Sequence, residues 1–281
     1  MIRVVITLMV FMAALSTVWA QTKSLYFLNT PESIATKQRL AQFDVQAGEQ
    51  VRIFLHYKNS GGKTMEFEFK SSQPVLGVVG FSFSGSPGIA GSEAALEFFQ
   101  SALMLRDINI NHKWLPGQTI SGIIEFTATK DTQISCKTGD TINPKTSIGV
   151  LDSLESLFSA NIENQPVKIR FGGLGPNANR GQYGVTQRVT VTNTSKATKS
   201  VVIYASPRGG KAVVTWGVNG IYHNTPMIPA KGKYRLATFT LRPGRSLCLT
   251  TMPAGGIAYP VELEFVPRIT GTYENVSVPG P

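Results

Sequence analysis

The residues with the most chemistry to offer are few and far apart in sequence. Three histidines occur, His56, His112 and His223, and none has a second ligand at the spacing of a motif such as His-Glu-x-x-His. A copper or zinc site would have to be assembled from these distant positions by the fold. Neither Gly85-Ser86-Pro87-Gly88 nor Gly91-Ser92-Glu93 supplies the Gly-x-Ser-x-Gly turn of a serine nucleophile. Glu262 and Glu264 share one strand face, where surface acids are a simpler account than glycosidase carboxylates, which must oppose each other across a cleft. The expectation is a non-catalytic protein with no cofactor and no metal. A metal-dependent or polysaccharide-acting enzyme is the remaining alternative.

An anion-binding set is more suggestive. The glycine-rich stretch 171–184 carries Arg180 and Tyr183, and the next basic turn carries Arg208 and Lys211. Together they are a candidate rim for phosphate, sulfate or carboxylate, to which arginine offers bidentate contact. Trp216 and Tyr222 flank the Asn219-Gly220 turn and would add an aromatic platform for a sugar ring. The plain alternative is a solvated loop edge and a core tryptophan. The stretch lacks the Gly-Lys-Ser/Thr ending of a phosphate-binding loop and leads into strands, so its glycines read as turn formers.

Only Cys136 and Cys248 can form a disulfide. An oxidising compartment favours that bond, and two small buried apolar residues are the alternative.

The elements that would position these residues are strands. Residues 1–20 read as a cleaved signal peptide: Arg3, then an apolar run, then Val18-Trp19-Ala20 before Gln21. An exported protein is implied, extracellular, cell-surface or periplasmic, with no transmembrane segment in the mature chain. Abundant glycine (27) and proline (16) with short alternating apolar runs argue for an all-β chain. Residues 53–57 and 65–69 alternate about Asn59-Ser60-Gly61-Gly62-Lys63 and predict a hairpin with Ile53 opposite Phe69 and His56 opposite Glu66. Residues 92–103 predict a helix inserted on the sandwich, 150–160 a second short helix, and 161–166 a linker. His112 falls in a polar loop. Val218-Asn219-Gly220-Ile221 predicts a two-residue hairpin, with His223 opposite Trp216. About seven strands in the last hundred residues suit an immunoglobulin-like sandwich.

Two such sandwiches are expected, an N-terminal one over 21–165 with the helical insertion and a basic C-terminal one over 166–281. Three points suggest internal duplication: Asn59-Ser60 with Asn193-Thr194, Leu115-Pro116-Gly117 with Ile228-Pro229-Ala230, and Cys136 with Cys248. The halves differ in charge. Residues 21–165 hold twelve lysines and arginines against fourteen acids, while 166–281 hold fourteen against three. A half this basic attracts polyanions in a salt-sensitive manner. Export argues against nucleic acid, which leaves an anionic polysaccharide or other envelope or matrix polymer. Self-association, acidic-leaning half to basic half, is the alternative use of the same asymmetry.

The segment Asn179-Arg180-Gly181-Gln182-Tyr183-Gly184-Val185, followed by alternating strands, resembles a Gly-x-Tyr-Gly-Val motif of uncharacterised secreted bacterial β-sandwich proteins. The resemblance spans about residues 170–265. It implies an exported bacterial sandwich and carries over no functional residue.

Overall fold

A computed structural model describes residues 23–29, 39–138, 145–150, 154–171, 183–257 and 260–269. The expected leader and Arg180 lie outside the described residues. The fold is all-β with a single helix among those residues, arranged as two sandwiches of two sheets each. No helix among the described residues is long and apolar enough to cross a membrane.

The first sheet contains β1 (Lys23–Asn29), β3 (Gln50–Lys58), β5 (Val75–Ser84), β6 (Met104–Arg106), β8 (Thr119–Ala128) and β10 (Lys145–Val150), in the order β10-β1-β3-β8-β5-β6. The second contains β2 (Arg39–Val45), β4 (Met65–Ser71), β7 (Asn109–Trp114) and β9 (Thr132–Thr138), in the order β2-β9-β4-β7. Their facing sides enclose one core built on Ile53, Leu55, Tyr57, Phe67, Phe69 and Trp114.

β3 and β4 are therefore not a hairpin. β3 pairs with β8 and β1, and β4 pairs with β7 and β9. The matching apolar faces do meet, but across the sandwich, with the Tyr57 and Phe67 rings 6.4 Å apart. Alternation selects the face a side chain occupies and says nothing about which strand lies beside it. His56 consequently does not face Glu66, which instead pairs with Lys113 at 3.4 Å. His112 lies on β7, a strand rather than a loop, and stacks on Phe83 at 3.6 Å.

The third sheet holds β11 (Glu155–Ile162), β13 (Thr186–Asn193), β15 (Thr215–Val218), β16 (Ile221–Asn224) and β18 (Ser246–Met252), in the order β11-β13-β18-β15-β16. The fourth holds β12 (Val167–Phe171), β14 (Lys199–Pro207), β17 (Tyr234–Leu241) and β19 (Val261–Ile269), in the order β12-β19-β14-β17. Of the expected helix at 150–160, Val150 ends β10, residues 151–153 lie outside the described residues, and residues 155–160 belong to the strand β11, which pairs with β13 of the second sandwich although it precedes the expected boundary at 165. The Asn219-Gly220 turn is as expected, with positive φ at both residues and His223 paired with Trp216.

The strand plan repeats. β1 to β9 and β11 to β19 have the same neighbours in the same order, each beginning with a parallel pair, β1 with β3 and β11 with β13. Asn59 and Asn193 are equivalent in detail. Asn59 donates to the carbonyls of Lys63 and Trp114, and Asn193 to those of Ala197 and Leu241. The next match corrects the sequence reading: Leu115-Pro116-Gly117 corresponds to Arg242-Pro243-Gly244. In both, a positive-φ glycine donates its amide to the asparagine carbonyl at 2.8 Å. Cys136 on β9 and Cys248 on β18 are therefore not equivalent. The two are free thiols, one buried and one exposed, not a disulfide.

The helix α1 (Pro87–Gln100) is present only in the first copy among the described residues, between β5 and β6. It lies between the two sandwiches. A Cβ on Gly80 would sit 2.1 Å from the Ala94 carbonyl, and one on Gly91 would sit 2.1 Å from that of Gly255. Bare glycine backbone is what lets the helix reach both neighbours.

Candidate functional site

The expected rim is dispersed over three places. Tyr183 lies between the sandwiches, its hydroxyl donating to the Ile257 carbonyl at 2.9 Å and its ring stacked on Phe54 at 5.8 Å. Trp216 is buried, and Tyr222 has one face covered by Phe99 of α1 at 4.6 Å. Arg208 belongs to a different cluster, and Lys211 is exposed in the segment before Ala212. His56, His112 and His223 sit in the first, second and third sheets. Among the described residues no group of three or more histidines, cysteines or acids could hold a metal ion.

Arg208 leads to the outer face of the fourth sheet. Along β12, Ile169 and Phe171 turn inward to the core, which leaves Lys168 and Arg170 on the opposite face. Their cross-strand partners are Glu264 and Glu262, and beyond those lie Tyr204 and Ser206 of β14. Tyr204 is in turn paired with Arg235 of β17. The result is an ordered array. Arg208 donates to Glu262 at 2.6 Å, Arg170 donates to it at 3.1 Å, and Lys168 lies 3.5 Å away. Glu264 pairs with Lys168 and Lys233, and the Lys233 ammonium sits over the Tyr204 ring at 4.2 Å.

Glu262 is the hub. Burial raises its pKa, but hydrogen bonds from Arg208 and Arg170, with the charge of Lys168, hold it down to about 2. It is an anion under all ordinary conditions, 5% exposed, while Lys168, Arg170 and Lys233 stay about half exposed. Two carboxylates thus tether four cations, Lys168, Arg170, Arg208 and Lys233. Arg235, paired with Tyr204 in the ladder, donates instead to Thr238 at 2.7 Å, so five cations stand on this face against two acids, a surplus of three. Glu262 and Glu264 do share one strand face, as expected, and the period-two pair Lys168/Arg170 is the signal in the sequence for the cations that join them there.

A second polar cluster joins the sandwiches. Arg52, on β3, is 3% exposed and donates to Glu125 on β8 at 2.8 Å. It also donates to the carbonyls of Leu154 and Gly184 at 2.8 and 2.7 Å. Nearby, His56 packs against Gly255, whose added Cβ would fall 2.3 Å from Nδ1. Burial holds the His56 pKa down to about 4.

Fold and surface together define the chain as a two-sandwich all-β protein with one basic sheet face. No protein-family model matches it, and no curated protein matches it. Among solved structures it is similar to Lac15 from a marine microbial metagenome, at 9% identity and a TM-score of 0.19 over 82% of this chain. It is also similar to a multicopper oxidase, a metallo-oxidase, from Campylobacter jejuni, at 14% identity and a TM-score of 0.14 over 74%. A third is dimeric latent PorU from Porphyromonas gingivalis, at 9% identity and a TM-score of 0.20 over 91%. The chain spans 59%, 48% and 22% of those proteins. Similarity at this level carries no argument about activity.

Proposed function

We propose that this is a non-catalytic binding protein of the cell surface or extracellular matrix. It holds an anionic envelope or matrix polymer on the outer face of the fourth sheet. The observation that supports the reading is the surplus of three positive charges on that ordered, open face, within the half of the chain that carries fourteen basic residues against three acidic ones. Export follows from the leader read at residues 1–20. A flat sheet face suits a chain laid across it better than a small molecule, which favours a concave site. The two glutamates keep the cationic side chains from splaying, so less side-chain entropy is lost when a polymer binds.

The experiment is retention on dextran sulfate and polygalacturonate beads at rising salt. Retention at low salt that is lost by a few hundred millimolar is expected, since screening shortens the reach of exposed charges to below about 8 Å. Combined Lys168→Ala, Lys233→Ala and Arg235→Ala substitutions should lower the eluting salt markedly. No low-salt retention, or retention indifferent to those substitutions, refutes the reading.

A further inference from the structure

Among the described residues β11 is an unprotected strand edge, bonded on one side only, to β13. Exposed edges are usually blunted by shortness, charge or proline. The edge strands β6 and β16 have three and four residues. β12 and β17 carry Lys168, Arg170 and Arg235. β11 has eight residues, no proline and one charge, Glu155 at its start, which pairs with Arg188 at 2.9 Å. Its Leu157 is 77% exposed, more than any other large apolar residue among those described.

The first sandwich shows what this strand position accepts. β1, the counterpart of β11, carries β10 antiparallel on its outer side, from Ser24 opposite Val150 to Asn29 opposite Lys145. We propose that β11 accepts an antiparallel β11 from a second copy of this chain, joining the two five-stranded sheets about a two-fold axis at Ser159. Opposed residues in antiparallel strands share a face. With Ser159 on the axis, exposed Leu157 lies opposite Asn161, and Phe158 lies opposite the small Ala160 on the core side. From Ser156 to Ile162 no charged residues oppose each other, and at each end of the ladder Glu155 falls opposite Glu163, a like-charge pair whose Glu155 is already held by Arg188 at 2.9 Å. The seven central positions are thus self-complementary, as a two-fold contact requires. The proposal stands apart from polymer binding, which uses the fourth sheet.

The test is light scattering and sedimentation of the full chain over a concentration series. A dimer at micromolar protein is expected. Ser159→Lys would set two ammonium groups against each other on the axis and should raise the dimer dissociation constant at least tenfold, with an unchanged circular dichroism spectrum. Ser159→Cys in a Cys248→Ser background should give a covalent dimer on mild oxidation, because opposed strands bring Cα atoms within about 6 Å. A monomer at every concentration overturns the proposal. So does a dimer that ignores Ser159→Lys and does not cross-link. A dimer that forms only when residues 270–281 are deleted also overturns it, since the chain itself would then cover the edge.

Discussion

Asn59 and Asn193 make the same bonds at the same turn of two sandwiches with one strand plan, yet the sheets around them meet different surroundings. The first sheet is covered on both sides, by its own core and by α1 with the second sandwich. Arg52, Phe54 and Ile123 are buried on the side away from that core. The second sheet faces outward with mixed pairs, Glu66 with Lys113 and Glu68 with Lys70. The fourth sheet, its counterpart, also faces outward but has more cations than acids. The shared plan is explained by packing, and the chemistry lies in what each outer face displays. Function is better sought in such surfaces than in the fold.

The largest expected effect comes from breaking the joint between the copies. Arg52→Met leaves Glu125 and the carbonyls of Leu154 and Gly184 without their donor. Loss of one partner of a buried ion pair costs about 3–5 kcal/mol. Calorimetry should show one cooperative transition in the parent chain and two in the variant. A single transition at unchanged temperature would mean that Arg52 does not couple the sandwiches.

The equivalence of the turns is sharpened by Asn59→Ala and Asn193→Ala. Each strands two carbonyls at the end of a strand and should cost about 2–4 kcal/mol, from the penalty for unsatisfied buried groups. Urea unfolding should assign one loss to each sandwich, of similar size. A loss confined to one variant would show that only one copy depends on the turn.

A pH effect of smaller size belongs to the joint. His56 has a folded pKa of about 4 against an ordinary 6.5, so the unfolded chain binds the proton more readily. Its contribution is fully present above pH 6.5 and is lost as pH falls toward 4. His56→Gln should flatten the stability profile in that window. Glu262, lowered to about 2, acts in a separate window: its contribution is present above about 4.5 and lost as pH falls toward 2.

The smallest effect is chemical. Burial pushes the Cys136 thiol up to about 12, while Cys248 is exposed. A thiol reagent should modify one cysteine per folded chain at once and the second only on unfolding, with no change in melting temperature from the first. Mass spectrometry of the tryptic peptides identifies which reacts.

Much of the strand layout was legible in the sequence, because alternation and turn residues act over a few positions. The Asn219-Gly220 hairpin and the helix over residues 92–100 are of this kind. Residues 155–160 read as helix because Leu154, Leu157 and Phe158 fit a helical spacing as well as a strand edge. β3 and β8 carried a legible clue to their double burial, with Phe54 and Ile123 on the face opposite their core residues. The clue was weak because Arg52 and His56 lie on that same face of β3. The duplication was legible at Asn59 and Asn193, whose bonds are local, and misaligned at the cysteines, whose places depend on which strands lie side by side.

The amino-acid sequence alone establishes the class of the protein: an all-β chain of two similar sandwiches, one strongly basic. Those properties rest on composition, periodicity and charge, which need no knowledge of neighbours. Which charges stand together is a property of the folded chain. Lys168, Arg208, Lys233 and Glu262 come from segments more than ninety residues apart at the extremes and meet because β12, β19 and β14 are hydrogen-bonded side by side. The order of strands within a sheet is set by the packing of the whole core, a non-local condition that no short stretch of sequence contains.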